Sequence, residues 1–131
     1  MHIAFLMDRL DSIEPENETT SHLMYECNQR GHTVYFLEPH DIYIRDNKVV
    51  ARMRNISVPP DLSIKKYWRM LMSCLKKDGL IFETITDIDV LFLRKNPPLV
   101  YQTLEFLISV SDKVFMINSA TGQIIANSKL Y

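Results

Sequence analysis

Two short clusters in this 131-residue chain carry side chains that could bind or react together. Asp8 follows a first apolar run, His2-Ile3-Ala4-Phe5-Leu6-Met7, and Arg94, Lys95 and Asn96 follow another, Ile88-Asp89-Val90-Leu91-Phe92-Leu93. The second run is short and rich in Val, Leu and Phe, which reads as a strand buried on both faces of a parallel sheet. Pro97-Pro98 has no N–H to give a ladder and pushes Asn96 out of helical geometry, so the strand ends there. That pins two cations at a strand's carboxyl end, the edge of an open α/β sheet where ligands bind. Arg94 suits a carboxylate, which its planar guanidinium can clamp with two parallel hydrogen bonds. The competing reading has Arg94 pair with Asp8 or Asp89 and merely tie the loops together.

Other chemistries find less support. Gly31, Gly79 and Gly122 are the only glycines, so neither a P-loop nor a dinucleotide fingerprint can be written. His2, His22, His32 and His40 show no metal-ligand spacing, and no Gly-x-Ser-x-Gly elbow is present. Asp8 and Asp11 invite a phosphoacceptor reading, but such a domain needs its Asp at the end of the third parallel strand, where this chain has Arg94. Lys65, Lys66, Arg69, Lys76 and Lys77 share one side of an expected helix. With Trp68 on the apolar side, they read as a solvated face rather than a nucleic-acid or membrane surface.

The elements that must hold these residues follow from composition and period. A net charge of −1 gives no global pull toward nucleic acid or membrane, and 47% apolar with 24% charged residues is ordinary for one globular domain. No apolar run approaches a membrane span, and the N-terminus lacks a signal-peptide pattern; the expectation is a cytoplasmic protein. Cys27 and Cys74 read as two free thiols.

Residues 10–17 suit a surface loop. A helix follows, with Asn17, Thr19, Thr20 and Ser21 as candidate N-caps, Leu23, Met24 and Cys27 as its buried stripe, and Gly31 just past its end. Thr33 to Leu37 is a β-branched and aromatic strand, which completes a parallel βαβ unit. Asp46-Asn47 tolerates a tight left-handed turn and joins Ile42–Arg45 to Lys48–Arg54 as an antiparallel hairpin with one wet side. From Ser63 the period becomes helical, with Ile64, Trp68, Leu71, Met72 and Leu75 on one face and Gly79 as the stop. Residues 80–87 are ambiguous. Leu99 to Val110 suggests a helix and Val114 to Ile117 a fourth parallel strand. The expected fold is thus a Rossmann-like, mostly parallel α/β sheet of order 2-1-3-4, helices on both faces, with the hairpin inserted. Residues 1–118 form the domain, and 119–131 are a polar linker or the start of something larger.

Several of these blocks together resemble a known family. Met7-Asp8 is similar to its Met-Asp-Pro start, and Gln29-Arg30-Gly31-His32 to its turn into the second strand. Glu38-Pro39-His40-Asp41-Ile42-Tyr43 resembles its entry to the hairpin. The most specific block is Asp89-Val90-Leu91-Phe92-Leu93-Arg94-Lys95-Asn96-Pro97-Pro98, which resembles its Asp-Val-x-x-x-Arg-Lys-Asp-Pro-Pro motif. The family is the N-terminal, pre-ATP-grasp domain of bacterial glutathione synthetase, and the likeness spans nearly the whole chain.

The resemblance implies an ATP-dependent carboxylate–amine ligase whose ATP-grasp domain, in cis, binds ATP and magnesium and activates a carboxylate as an acyl phosphate. It implies a substrate-side role for this domain, inactive alone, toward a carboxylate-bearing small peptide or amino acid, and a subunit contact in a homo-oligomer. Residue by residue it carries over Asp8, Ser21, Arg94, Lys95 and Asn96 as substrate-binding positions, with Arg94 orienting the substrate and Asp8 and Asn96 shaping the pocket. Two departures stand out: Asn96 replaces the family's Asp, and the chain stops at Asn127-Ser128-Lys129-Leu130-Tyr131, which looks like the opening of the family's next helix. The other readings are a free-standing binding or scaffolding module, and a basic-helix surface binder.

Overall fold

A computed structural model describes residues 1–56, 58–74 and 80–128. The first apolar run forms β1 (His2–Leu6), followed by a short 3-10 turn at Leu10–Ser12 that buries Leu10. Helix α1 (Thr19–Gln29) starts at Glu18, which is the N-cap although its side chain makes no capping hydrogen bond. The cap is none of the four side chains favoured from sequence, because the Ser21 hydroxyl instead reaches back to the Glu18 and Pro15 carbonyls. Beyond the helix Gly31 has φ +79°, the left-handed geometry that costs glycine least.

Strand β2 (Thr33–Leu37) pairs parallel with β1, as the βαβ reading requires. Then β3 (Ile42–Arg45) and β4 (Lys48–Ile56) form the hairpin, turning at Asp46 and Asn47 with φ 49° and 58°. Helix α2 (Ile64–Cys74) buries Tyr67, Trp68 and Leu71 and exposes Lys65, Lys66 and Arg69. Its expected continuation through Leu75, Lys76 and Lys77 to Gly79 lies outside the described residues. The ambiguous stretch opens with β5 (Leu80–Thr84). After it come β6 (Val90–Leu93), α3 (Tyr101–Ile108), β7 (Phe115–Ile117) and α4 (Ala120–Ser128). No helix among the described residues is long and apolar enough to cross a membrane.

All seven strands join one sheet, and its parallel part runs β2-β1-β6-β7. The fold is α/β, but the sheet is mixed rather than mostly parallel. Strand β4 pairs antiparallel with β2, β3 and β5, so antiparallel pairings equal parallel ones. The reason lies in the length of β4. Its first half pairs with β3 and its last residues with β2, so the hairpin extends the sheet instead of standing apart from it. Five residues separate Phe36 from Ile42 while two separate their partners Arg54 and Ala51. The surplus is taken up by a 3-10 turn at Pro39–Asp41, which acts as a wide bulge. Val50 and Ala51 pair with β3 and β5 alike, so β5 lies on the opposite edge of β4.

The pleat divides the core in two. Ile3, Phe5 and Met7 face Met24 of α1 and Tyr67, Trp68 and Leu71 of α2. Ala4 and Leu6 face the other way, toward Leu104 and Leu107 of α3 and Ala120 of α4. Helices therefore cover both faces. The stretch after Asn118, read as polar linker, folds instead as α4; Ala120 is buried and Ile124 packs against the core. Two inward residues were too few for its period to show. Cys27 is a half-buried free thiol, and burial, foremost, pushes its pKa up. The Cys74 side chain lies outside the described residues.

Candidate functional site

Strands β1 and β6 are parallel neighbours with Leu6 opposite Leu93, so their two exits are adjacent. The backbone extends the ladder one step further: the Arg94 N–H donates to the Leu6 carbonyl at 2.8 Å. Asp8 and the Arg94-Lys95-Asn96 turn thereby meet in one polar cleft of about 170 Å³. Its other polar walls come from Glu18 and Thr20 at the start of α1, and from Asn118 and Gln123 beside β7.

Each charged group has a distinct job. Lys95 Nζ lies 2.7 Å from Asp8 Oδ1, and the Asn96 N–H donates to Asp8 Oδ2 at 3.0 Å. Lys95 also donates to the Asn96 carbonyl at 2.6 Å and, more weakly, to that of Pro98 at 3.4 Å, so it staples the proline-closed turn to the first strand's exit. The Pro97-Pro98 peptide is cis. With side chains only 20% and 24% exposed, the Lys95–Asp8 pair is better sheltered than an ordinary surface ion pair.

Arg94 is different. Its Nε donates to Thr20 Oγ1 at 3.0 Å, and it has no carboxylate within ion-pair distance among the described residues. Both acids that were candidates to hold it are otherwise engaged: Asp8 by Lys95, and Asp89 by the His2 N–H at 2.6 Å. The guanidinium is oriented through Nε, and among the described residues its outer N–H groups have no protein partner.

Burial acts on the Asp8 carboxyl to raise its pKa, but the Lys95 hydrogen bond, the Asn96 N–H and the Lys95 charge outweigh it and hold the pKa below the ordinary 3.8. A depressed carboxylate pKa stabilises the fold above its unfolded-state value, and that stability drains away as pH falls through the lower folded-state value. We therefore expect urea unfolding of the parent and Asp8→Asn chains to differ most from about pH 5 upward, with the gap closing steadily below the ordinary carboxylate value. A gap that stayed constant down to pH 2 would show that the pair contributes nothing through its charge.

Of the five positions carried over from the resemblance, Asp8, Arg94, Lys95 and Asn96 line the cleft. Ser21 does not. It is fully buried, and its hydroxyl donates to the Glu18 carbonyl at 2.7 Å and to that of Pro15, fixing the loop that carries Glu18. Thr20, one residue earlier, is the one that faces Arg94. The sequence reading missed Glu18, Thr20, Asn118 and Gln123. Asn118 is the last residue of the expected domain and Gln123 lies in the stretch read as a linker, and only pairing of the last strand places them beside Leu93. The Asn118 Nδ2 and Gln123 Nε2 groups both donate to the Leu93 carbonyl, at 3.2 and 3.0 Å. Asn118 adopts φ 64° to do so.

A second cluster brings Glu38, His40 and Asp41 together, a grouping that histidine spacing did not suggest. It is explained by the bulge: Asp41 Oδ2 accepts the Glu38 N–H at 2.9 Å as half of a capping box, and its Oδ1 lies 3.7 Å from Arg52 Nε. The Arg94-Lys95-Asn96 turn does not form a phosphate cradle. A phosphate cradle needs free backbone N–H groups, whereas those of Arg94 and Asn96 are spent on Leu6 and Asp8, and the Asp8 carboxylate is spent on Lys95.

Comparison with known proteins bears on this geometry. Residues 1–122 match the family model described as prokaryotic glutathione synthetase, N-terminal domain. The chain is 30% identical to a glutathione synthetase of Coxiella burnetii over 135 aligned positions, which cover all of this chain and 39% of that relative. It is 24% identical to a glutathione synthetase of a Synechocystis species and 27% to one of Gloeobacter violaceus, covering 42% and 40% of their lengths. The chain thus spans about two fifths of the curated relatives it matches.

Proposed function

Since this chain belongs to the family of prokaryotic glutathione synthetase N-terminal domains, we propose that it is the substrate-side domain of an ATP-dependent carboxylate–amine ligase. Residues 1–118 form that domain, and 119–131, now seen to include α4, lead toward an ATP-grasp domain in cis. ATP and magnesium belong to that second domain and activate the carboxylate there. The contribution of this chain is to bind and orient a carboxylate-bearing peptide or amino acid in the cytoplasm.

One observation carries the reading. Arg94 is held by Thr20 at a strand's carboxyl end, while the neighbouring acids are engaged by other groups. A guanidinium fixed through Nε and free at its outer nitrogens can offer two parallel N–H groups to an incoming carboxylate. The Lys95–Asp8 staple keeps the turn from moving when the ligand arrives, so little ordering entropy is left to oppose binding.

The test is the ligation itself, run on the protein encoded by the whole reading frame. ADP release should require both a γ-glutamyl dipeptide and an amine, and glutathione should form. A frame that stops after Tyr131, with glutathione binding but no ADP release, would turn the chain into a binding module without chemistry.

A further inference from the structure

The cleft holds more than a cation. Glu18 lines it, and among the described residues the Glu18 carboxylate has no hydrogen-bond or ion-pair partner. Asn118 and Gln123 each spend an amide N–H on the Leu93 carbonyl. A carbonyl can only accept, so this contact fixes which end of each amide is used; among the described residues no protein donor reaches Oδ1 of Asn118 or Oε1 of Gln123. The lining of the cleft thus combines Arg94, whose outer N–H groups have no partner among the described residues, with three side chains that keep an unspent acceptor there, one of them charged.

A site with a fixed guanidinium and a separate carboxylate flanked by two amide oxygens matches a ligand carrying both signs of charge a short distance apart. We propose that the cleft reads an α-amino-acid end, with Arg94 on the α-carboxylate and Glu18, assisted by Asn118 and Gln123, on the α-ammonium. The inference rests on the substrate-side reading above and adds Glu18 as a specificity-determining residue. Ser21 matters here as a positioning residue, because its two bonds to Pro15 and Glu18 fix the backbone from which Glu18 projects. A volume of about 170 Å³ suits such an end and leaves the remainder of a longer ligand outside.

Glutathione offers this group, since its γ-linkage leaves α-ammonium and α-carboxylate on one carbon. Free glycine offers it too. Both are titrated by calorimetry into the protein as encoded, alongside N-acetylglutathione, which keeps the carboxylate and loses the positive charge. The parent should prefer glutathione over its N-acetyl form by about tenfold or more, the usual scale for a hydrogen bond between charged groups. Glu18→Gln should shrink that preference to about threefold or less while leaving N-acetylglutathione affinity within about twofold, which also shows that the cleft remains folded. If glycine binds instead and Glu18→Gln weakens it tenfold, the assignment stands and the source is the free amino acid. Equal binding of glutathione and its N-acetyl form, or a preference untouched by Glu18→Gln, overturns the ammonium assignment alone. Affinities that ignore Arg94→Ala, or no binding of either ligand, overturn the substrate-side reading with it.

Discussion

Arg94→Ala is expected to weaken binding of a carboxylate-bearing peptide by about ten- to a hundredfold, because losing a charge-assisted hydrogen bond costs roughly 1.5–3 kcal/mol. The fold should survive. The Arg94 N–H that extends the ladder to Leu6 is a backbone group and persists in alanine. The structural cost is confined to Thr20 Oγ1, which is buried and loses its donor, so the melting temperature should fall by only a few degrees. Arg94→Lys sharpens the test, since it keeps the charge and loses the planar fork. Titration calorimetry should place it nearer to alanine than to the parent. If Arg94→Ala leaves the affinity within twofold, the guanidinium does not clamp a carboxylate.

That prediction depends on a geometry much of which was written in one dozen residues. Val90 to Leu93 had to be a buried strand, Pro97-Pro98 had to stop it, and Arg94 therefore had to sit at its exit. The division of labour between the two cations was not legible. Sequence offers Arg94 and Lys95 as adjacent charges near Asp8, and nothing in their order says which takes the acid. The strand's alternation decides it. Leu93 points into the α3 side of the core, Arg94 toward Thr20 of α1, and Lys95 back over Asp8.

The sheet shows a similar boundary. Period-two alternation identified β4, and Asp46-Asn47 identified its turn, because both are local signals. That β4 would pair along its upper edge with β2 as well as β3 is a long-range outcome. It requires the surplus residues at Pro39–Asp41 to leave the ladder, and their capping box is what makes that departure stable. Likewise Glu18 and Gln123 are unremarkable in a sequence, since a lone acid before a helix or an amide within one is usually solvated. They become site candidates only where strand pairing and helix placement converge on one small cleft.

The largest effect on stability should come from the strand that delivers Arg94. Leu91 is fully buried between Ala4 of β1 and Met116 of β7, in the core that α3 and α4 close. Leu91→Ala should cost about 2–5 kcal/mol, the transfer of its lost methyl groups plus the cavity left in a site that a central strand cannot collapse to fill. Against a total of roughly 5–15 kcal/mol for a domain, that is a large share. Urea unfolding should show the midpoint lowered with the slope unchanged, because the same surface is exposed on unfolding. Affinity for the peptide in the folded protein should stay close to the parent's, since Leu91 faces the core and Arg94 keeps its own tie to Leu6. The two variants should thus separate what the strand does from what its end does: Arg94→Ala is expected to weaken binding and spare the fold, and Leu91→Ala to do the reverse. A loss below about 1 kcal/mol for Leu91→Ala would mean that this strand does not occupy the centre of the sheet, and the cleft at its end would lose its physical basis.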